Sequence, residues 1–145
     1  APEHVPGLMA GVVLKWAGEF ERAAASDYDA LSEQATDPKL KALLGELAAE
    51  EREHVERVRH ASTEHESLQL APNEASVALP ERDALNHDVA KADRPLLEHA
   101  IEHEEATAQF YAELARLTPL PGLKQTFTRL AEAEKDHARR LRALG

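Results

Sequence analysis

An internal repeat constrains this chain more than any other feature of its sequence. When the chain is shifted so that Leu14 lies on Leu97, the segment LKWAGEFERAAASDYDAL aligns without a gap on LEHAIEHEEATAQFYAEL. Over residues 14–60 the shifted chain is identical at 17 of 47 positions. Both copies carry apolar residues at steps of three and four, which is the spacing of one helix face. The repeat therefore predicts two copies of one helical unit.

Helix start and stop signals divide each copy into a hairpin. We expect helices over residues 8–34 and 38–60 in the first copy, and in the second a helix over 95–116, a turn over 118–122 and a fourth helix that runs to 144. Residues 61–93 lose the apolar period, so we expect a long crossover there, with a short helix near 82–92. Two hairpins joined by a crossover predict an all-α four-helix bundle, built by duplication, in a single domain over residues 1–145.

The composition excludes several classes of protein. The chain has no Cys, which rules out disulfides, thiolate metal sites and Cys nucleophiles within it. Its net charge of −10 argues against a nucleic-acid partner, because a phosphate backbone would be repelled. No apolar run is long enough to cross a bilayer, so we expect no membrane partner. No basic segment precedes an apolar run as in a signal peptide, so we expect a cytoplasmic protein.

Two polar residues interrupt the apolar stripe of the second helix in each copy. An isolated Glu-x-x-His motif is a weak signal, but here two such motifs occupy the same repeat position. A buried charge without a partner is very costly, so something should meet these side chains in the core. The two interrupted stripes are Leu40, Leu44, Leu47, Glu51, His54, Val58 and Leu123, Phe127, Leu130, Glu134, His137, Leu141.

The first and third predicted helices each add one carboxylate on an otherwise small or apolar face, namely Glu21 and Glu104. In each copy this Glu and the Glu of the Glu-x-x-His motif are equally far along the chain from the centre of the turn between them. That centre falls near Thr36 in the first copy and near Pro119 in the second. In antiparallel hairpins with one rise per residue, all four carboxylates should therefore lie in one layer.

Four carboxylates and two imidazoles in one core layer would repel one another strongly without metal, which would raise the carboxyl pKa values. Two divalent cations would balance the four carboxylates, and oxygen and imidazole ligands without thiolate suit Fe or Mn better than structural zinc. We therefore predict two divalent ions, either Fe or Mn or a mixed pair. The predicted ligands are Glu21, Glu51, His54, Glu104, Glu134 and His137.

The sequence gives weaker evidence for the roles of two tyrosines and two histidines near these ligands. Tyr28 and Tyr111 lie two turns after Glu21 and Glu104, so their hydroxyls could bond a ligand carboxylate, or they could be core tyrosines with any acceptor. His99 and His103 point away from Glu104, so we expect a solvated or interface face. Their repeat equivalents are Trp16 and Phe20, which indicate either a self-association surface or packing within the bundle.

Four segments resemble the ferritin-like superfamily, and most closely its rubrerythrin-type di-iron domains: EFERAAASDY, DPKLKALLGELAAEEREH, EHEEATAQFY and LKQTFTRLAEAEKDH. The resemblance implies iron ligation by the six residues above, with Glu51 and Glu134 as bridges. It implies an oxidoreductase that reduces hydrogen peroxide with electrons from a separate donor such as a rubredoxin-like protein, and it makes a homodimer the expected assembly.

Two departures from the rubrerythrin pattern bear on function. Thr107 stands where many rubrerythrins carry an additional metal-binding Glu, which puts redox-linked ligand switching in doubt. The rubredoxin domain that many rubrerythrins bear needs four Cys, and this chain has none. Two alternatives therefore stay open beside the peroxidase. One is a ferroxidase that oxidises Fe(II) with O₂, and the other is a metal-stabilised bundle without turnover.

Overall fold

The computed structural model describes residues 10–65 and 93–144. These residues form four α-helices, α1 (Ala10–Gln34), α2 (Pro38–His65), α3 (Asp93–Leu117) and α4 (Pro121–Arg142), and the described part contains no strand. The predicted all-α helical bundle is therefore confirmed. Within the described ranges, no helix combines the length and the apolar character that a membrane crossing needs.

The repeat in the sequence is also a repeat in the structure. The shift that places Leu14 on Leu97 also places both ends of α1 on the ends of α3, and the start of α2 on the start of α4. The last two starts are prolines, Pro38 and Pro121. Proline suits the first helical position because its missing N–H has no partner there in any case and its φ is already helical.

Two predicted boundaries are wrong. The turn between the last two helices covers residues 118–120 rather than 118–122, because Pro121 opens α4 and holds Leu120 in an extended conformation with φ −93° and ψ 122°. Helix α2 runs five residues beyond the predicted end at residue 60, and Ala61 in this extension is buried. The predicted short helix near 82–92, most of the crossover and the first two residues of the first predicted helix lie outside the described residues.

Short connections pair the helices into two hairpins. Three residues join α1 to α2 and three join α3 to α4, so each pair packs side by side in opposite directions. Each turn is bridged by a lysine. Lys41 Nζ donates to the carbonyl of Ser32 at 2.7 Å, and its repeat equivalent Lys124 donates to the carbonyl of Ala115 at 3.0 Å. Both lysines thus satisfy carbonyls near a helix C-terminus, where a cation is favourable.

The apolar core consists of two clusters, each with residues from all four helices. The first contains Leu14, Ala17, Val58, Tyr111, Leu114, Leu123, Phe127 and Leu130 among others. The second contains Tyr28, Leu31, Leu40, Leu44, Leu47, Leu97, Ala100 and Leu141 among others. Along every helix the two clusters are separated by the Glu or Glu-x-x-His positions. A polar layer therefore crosses the middle of the bundle with an apolar cluster on either side.

Candidate metal centre

The structure brings the six predicted ligand residues together in this polar layer, and none of them is more than 4 % exposed. With one oxygen or nitrogen atom taken from each residue, they form two overlapping four-residue sets, and within each set these atoms lie inside 4.8 Å of one another. One set is Glu21, Glu51, His54 and Glu134, and the other is Glu51, Glu104, Glu134 and His137. A three-residue set, Glu51, His54 and His137, connects the two. The geometry is that of two adjacent positions that share Glu51 and Glu134.

Both imidazoles present Nδ1 to the interior of the layer. His54 Nδ1 is 2.8 Å from Glu134 Oε1 and 3.1 Å from Glu51 Oε1. His137 Nδ1 is 3.3 Å from Glu51 Oε1 and 3.2 Å from Glu104 Oε2. The two rings are nearly parallel, with an interplanar angle of 7° and centroids 5.6 Å apart. The Nδ1 lone pairs can therefore face two adjacent ions.

The outer carboxylates, Glu21 and Glu104, each accept a hydrogen bond from a buried tyrosine of the other hairpin. Tyr111 donates to Glu21 Oε1 at 2.9 Å, and Tyr28 donates to Glu104 Oε1. Burial, and next to it the nearby carboxylate charge, raises the pKa of both tyrosines well above the usual value, so each hydroxyl keeps its proton. The tyrosines thus orient the two outer carboxylates.

The two shared carboxylates have no such support. Both oxygens of Glu51 and both of Glu134 are buried, and within the described residues their close polar neighbours are the histidine nitrogens and the other carboxylates of the layer rather than a hydroxyl donor. Burial, and next to it the charges of Glu21 and Glu104, raises the pKa of both groups well above the usual value. Buried carboxylate oxygens without a hydroxyl donor, beside two imidazole nitrogens, are what a pair of divalent cations requires. The residues therefore fit two metal ions.

Charge in the layer is distributed unevenly among the carboxylates. Burial opposes ionisation of Glu104, but the neighbouring Glu134 and His137 side chains lower its pKa to about 2. Burial also opposes the charged form of His137, yet the hydrogen bond to Glu104 raises the pKa of this imidazole above its usual value. Without metal, Glu104 therefore ionises at a lower pH than Glu51 and Glu134 beside it.

One contact of the site is not predictable from the sequence pattern. His137 Nε2, on the side of the ring away from the layer, is 3.2 Å from Glu50 Oε1. Arg140 donates two hydrogen bonds to Glu50, of 2.9 and 2.7 Å, and these bonds lower the pKa of that carboxyl. The repeat gives no signal for Glu50, because its equivalent in the other copy is Ala133.

The prediction of a solvated or interface face is wrong for His103. This side chain is 7 % exposed, and burial lowers its pKa while the carboxylates of Glu104 and Asp27 oppose the shift. Although His103 is one residue before Glu104, its side chain is still buried in the bundle, because α1 lies opposite this part of α3. His99 is half-buried.

The repeat equivalents of these histidines pack within the bundle. Trp16 and Phe20 are partly buried against the first core cluster. Phe20 also meets Phe110 edge to face, with centroids 6.3 Å apart and an interplanar angle of 87°. Packing within the chain therefore accounts for both aromatic side chains without a self-association surface.

Thr107 supplies no carboxylate to the site. Its side chain is buried, and its hydroxyl donates to the carbonyl of His103 in the preceding turn of α3 at 3.0 Å. The hydroxyl is therefore occupied by its own helix, and the layer contains four carboxylates and two imidazoles.

Comparison with known proteins agrees with this arrangement. The rubrerythrin family model matches residues 13–145. The chain belongs to the rubrerythrin family. A crystal structure of a protein from Thermotoga maritima, described as a ferritin-like diiron-carboxylate protein, superimposes on this rubrerythrin-family chain with a TM-score of 0.80 at 22 % identity. The match covers 97 % of this chain and 96 % of that one, and it shows the shared fold. No curated protein matches the chain.

Family membership and the buried cluster together indicate a site for two metal ions in this rubrerythrin.

Proposed function

We propose that the protein is a di-iron oxidoreductase that reduces hydrogen peroxide to water with electrons from a separate donor. The observation that carries the proposal is the pair of overlapping sets that share Glu51 and Glu134. In this proposal Glu21 and His54 would hold one ion, Glu104 and His137 would hold the other, and the shared Glu51 and Glu134 would serve both. The cofactor is two Fe ions, with Mn or a mixed pair as the alternative. Bound iron supplies two electrons and Lewis acidity.

The residues of the chain prepare this site in three ways. The tyrosine hydroxyls fix the orientation of the outer carboxylates, which reduces the reorganisation that metal binding requires. The apolar clusters on either side limit access of water to the layer. Glu51 and Glu134 have raised pKa values, so they keep their protons to a higher pH than free carboxyl groups do. Metal binding at a pH where these groups are protonated should therefore release protons.

The electron donor is proposed to be another protein. Reduction of one hydrogen peroxide to two waters consumes two electrons and two protons, so the site must be re-reduced after each turnover. The printed sequence contains no Cys and therefore no thiolate-ligated iron centre of its own. A rubredoxin-like protein fits this need. We further propose that the protein acts in the cytoplasm, where reduced iron is maintained, and that it forms a homodimer.

A second candidate function is a ferroxidase that oxidises Fe(II) with O₂. Thr107 favours it, because a threonine cannot provide the additional carboxylate that redox-linked ligand switching uses. The third candidate is a metal-stabilised bundle without turnover, which the same six ligands would also support.

Anaerobic titration with Fe(II), followed by stopped-flow mixing with O₂ or hydrogen peroxide in separate experiments, tests the proposal. We expect two irons per chain and much faster oxidation by peroxide. Faster oxidation by O₂, with release of ferric ion, supports the ferroxidase instead, and bound iron that neither oxidant changes supports the non-catalytic bundle. Glu134→Ala serves as the variant without the site. Glu132→Ala, an exposed carboxylate of the same helix, is the matched control.

A further inference from the structure

His137 is held from outside the layer by a carboxylate that belongs to neither metal set. Its Nε2 lies 3.2 Å from Glu50, and two hydrogen bonds from Arg140 fix that Glu50 carboxylate in place. Its Nδ1 faces Glu51 and Glu104. A neutral imidazole carries one N–H, so a proton that Nε2 donates to Glu50 leaves the Nδ1 lone pair directed into the layer.

The other histidine lacks this carboxylate. The repeat position equivalent to Glu50 is Ala133, whose methyl group cannot accept a hydrogen bond from His54. The arginine, in contrast, occurs in both copies, because Arg57 is the repeat equivalent of Arg140. The two halves of the layer therefore have the same ligand types and the same arginine, and at the position equivalent to Glu50 only the first copy has a carboxylate.

We propose that Glu50, held by Arg140, is a positioning residue that makes the two metal positions unequal, so that a divalent ion binds more tightly beside His137 than beside His54. The inference rests on the ligand set of the proposed function. A hydrogen-bonded carboxylate fixes the tautomer and the orientation of a metal-binding imidazole and increases its basicity. Loss of such a group typically costs about 10- to 100-fold in metal affinity, and a difference of that size is expected between the two positions.

The order in which the positions fill is the sharpest readout. Two separate binding steps alone are not diagnostic, because the first divalent ion repels a second one nearby in any case. The double variant Glu50→Ala/Ala133→Glu moves the carboxylate to the other half while the composition and the net charge stay unchanged. Arg57 is available there to hold the new side chain, as Arg140 holds Glu50 in the original half.

The experiment titrates protein that contains ¹⁵N-histidine with Co(II). Paramagnetic broadening of the ring resonances, assigned with His54→Asn and His137→Asn, reports which position fills first, and competition with a chelator gives the two dissociation constants. We expect His137 to fill first in the wild type and His54 to fill first in the double variant. Glu50→Ala should weaken the tighter step by about 10- to 100-fold, and Glu50→Gln, which keeps an acceptor oxygen, should weaken it less.

Two outcomes would overturn the inference. One is that His137 still fills first in the double variant. The other is that Glu50→Ala preserves the order of filling and weakens the tighter step by less than about tenfold. Failure of the two-metal site on which the inference rests looks different, since the wild type would then bind fewer than two Co(II) ions. Glu56→Ala, which removes an exposed carboxylate from α2, should leave the order unchanged, and melting curves verify that each variant is folded.

Discussion

The two hairpins are alike in the polar layer and different around it. Inside the layer, each copy supplies one outer Glu, one Glu-x-x-His pair and one tyrosine that bonds to the other copy. Outside the layer, Glu50 in the first copy corresponds to Ala133 in the second. The residues of the two metal sets thus repeat in both copies, whereas the carboxylate that supports one histidine from outside occurs in one copy.

The contact between α1 and α3 gives a second example of this difference. Phe20 and Phe110 form an aromatic pair, and their repeat equivalents are His103 and Asp27. The carboxylate of Asp27 opposes the fall that burial causes in the pKa of His103. The contact between α1 and α3 is therefore apolar at Phe20 and Phe110 and polar at the equivalent residues, His103 and Asp27. Packing at these positions tolerates either chemistry, in contrast to the layer itself.

The largest effect is expected from removal of a shared carboxylate. Glu51→Ala and Glu134→Ala should each abolish stable binding of two ions, because each variant removes one of the two groups common to both metal sets. Because the two residues are repeat equivalents, their losses should be similar. Iron content per chain after desalting measures this. Two irons retained by either variant would contradict its role as a bridge, and Glu53→Ala, an exposed carboxylate between Glu51 and His54, is the control.

The polar layer and most helix bounds were predictable from the sequence, because both follow from the repeat and from the positions of the turns. Repeat equivalence and equal distances from the turns place four carboxylates at one height without any knowledge of side-chain contacts. Glu50 was not predictable, because it lies in a run of three carboxylates within four residues and only the crossing of α2 and α4 selects it. The burial of His103 depends in the same way on the opposite helix, which helix periodicity alone does not describe.

The next effect concerns the pH dependence of metal-free protein. Glu51 and Glu134 have pKa values raised well above 4.5, so their contribution to stability is complete below about pH 4.5 and is lost as the pH rises towards their folded-state values. The free energy of unfolding should fall by roughly 1.4 kcal/mol per pH unit for each group that stays protonated. Glu104, with a pKa of about 2, acts oppositely and loses its contribution as the pH falls from 4.5 towards 2.

Metal should reverse this loss of stability above pH 4.5. Two cations neutralise the layer, and an ion present at 100 times its dissociation constant adds about 2.7 kcal/mol to the free energy of unfolding. Urea denaturation at pH 5, 6 and 7, with chelator or with Co(II), measures both dependences. Identical midpoints for metal-free and metal-loaded protein would mean that the six residues do not form one site.

A smaller effect is expected from the two tyrosines. Tyr28→Phe and Tyr111→Phe each remove one hydrogen bond to a buried carboxylate and leave the ring in place. Hydrogen bonds to charged groups contribute about 1.5–3 kcal/mol, so each variant should lose that much stability at neutral pH. The two variants should lose similar amounts of stability, because the tyrosines are repeat equivalents. A clear inequality, measured by urea denaturation, would show that the asymmetry at Glu50 extends into the layer.

The smallest effect is expected at the two turns, where the copies are again alike. Lys41→Met and Lys124→Met keep most of the side-chain length and remove the ammonium group that bonds a helix C-terminal carbonyl. A cation at such a position contributes about 0.3–1 kcal/mol, so each variant should be destabilised by that amount. Salt should weaken the effect more at Lys41, whose contact is exposed, than at Lys124, whose contact is partly buried.

Lys39→Met is the control for these two variants, because it removes an exposed ammonium two residues before Lys41. Urea denaturation at low and at high salt measures all three. If Lys39→Met costs as much as Lys41→Met, the loss comes from the net charge of the chain and not from the bridge across the turn. If Lys124→Met destabilises the protein and Lys41→Met does not, the two hairpins are alike in the polar layer but not at their turns.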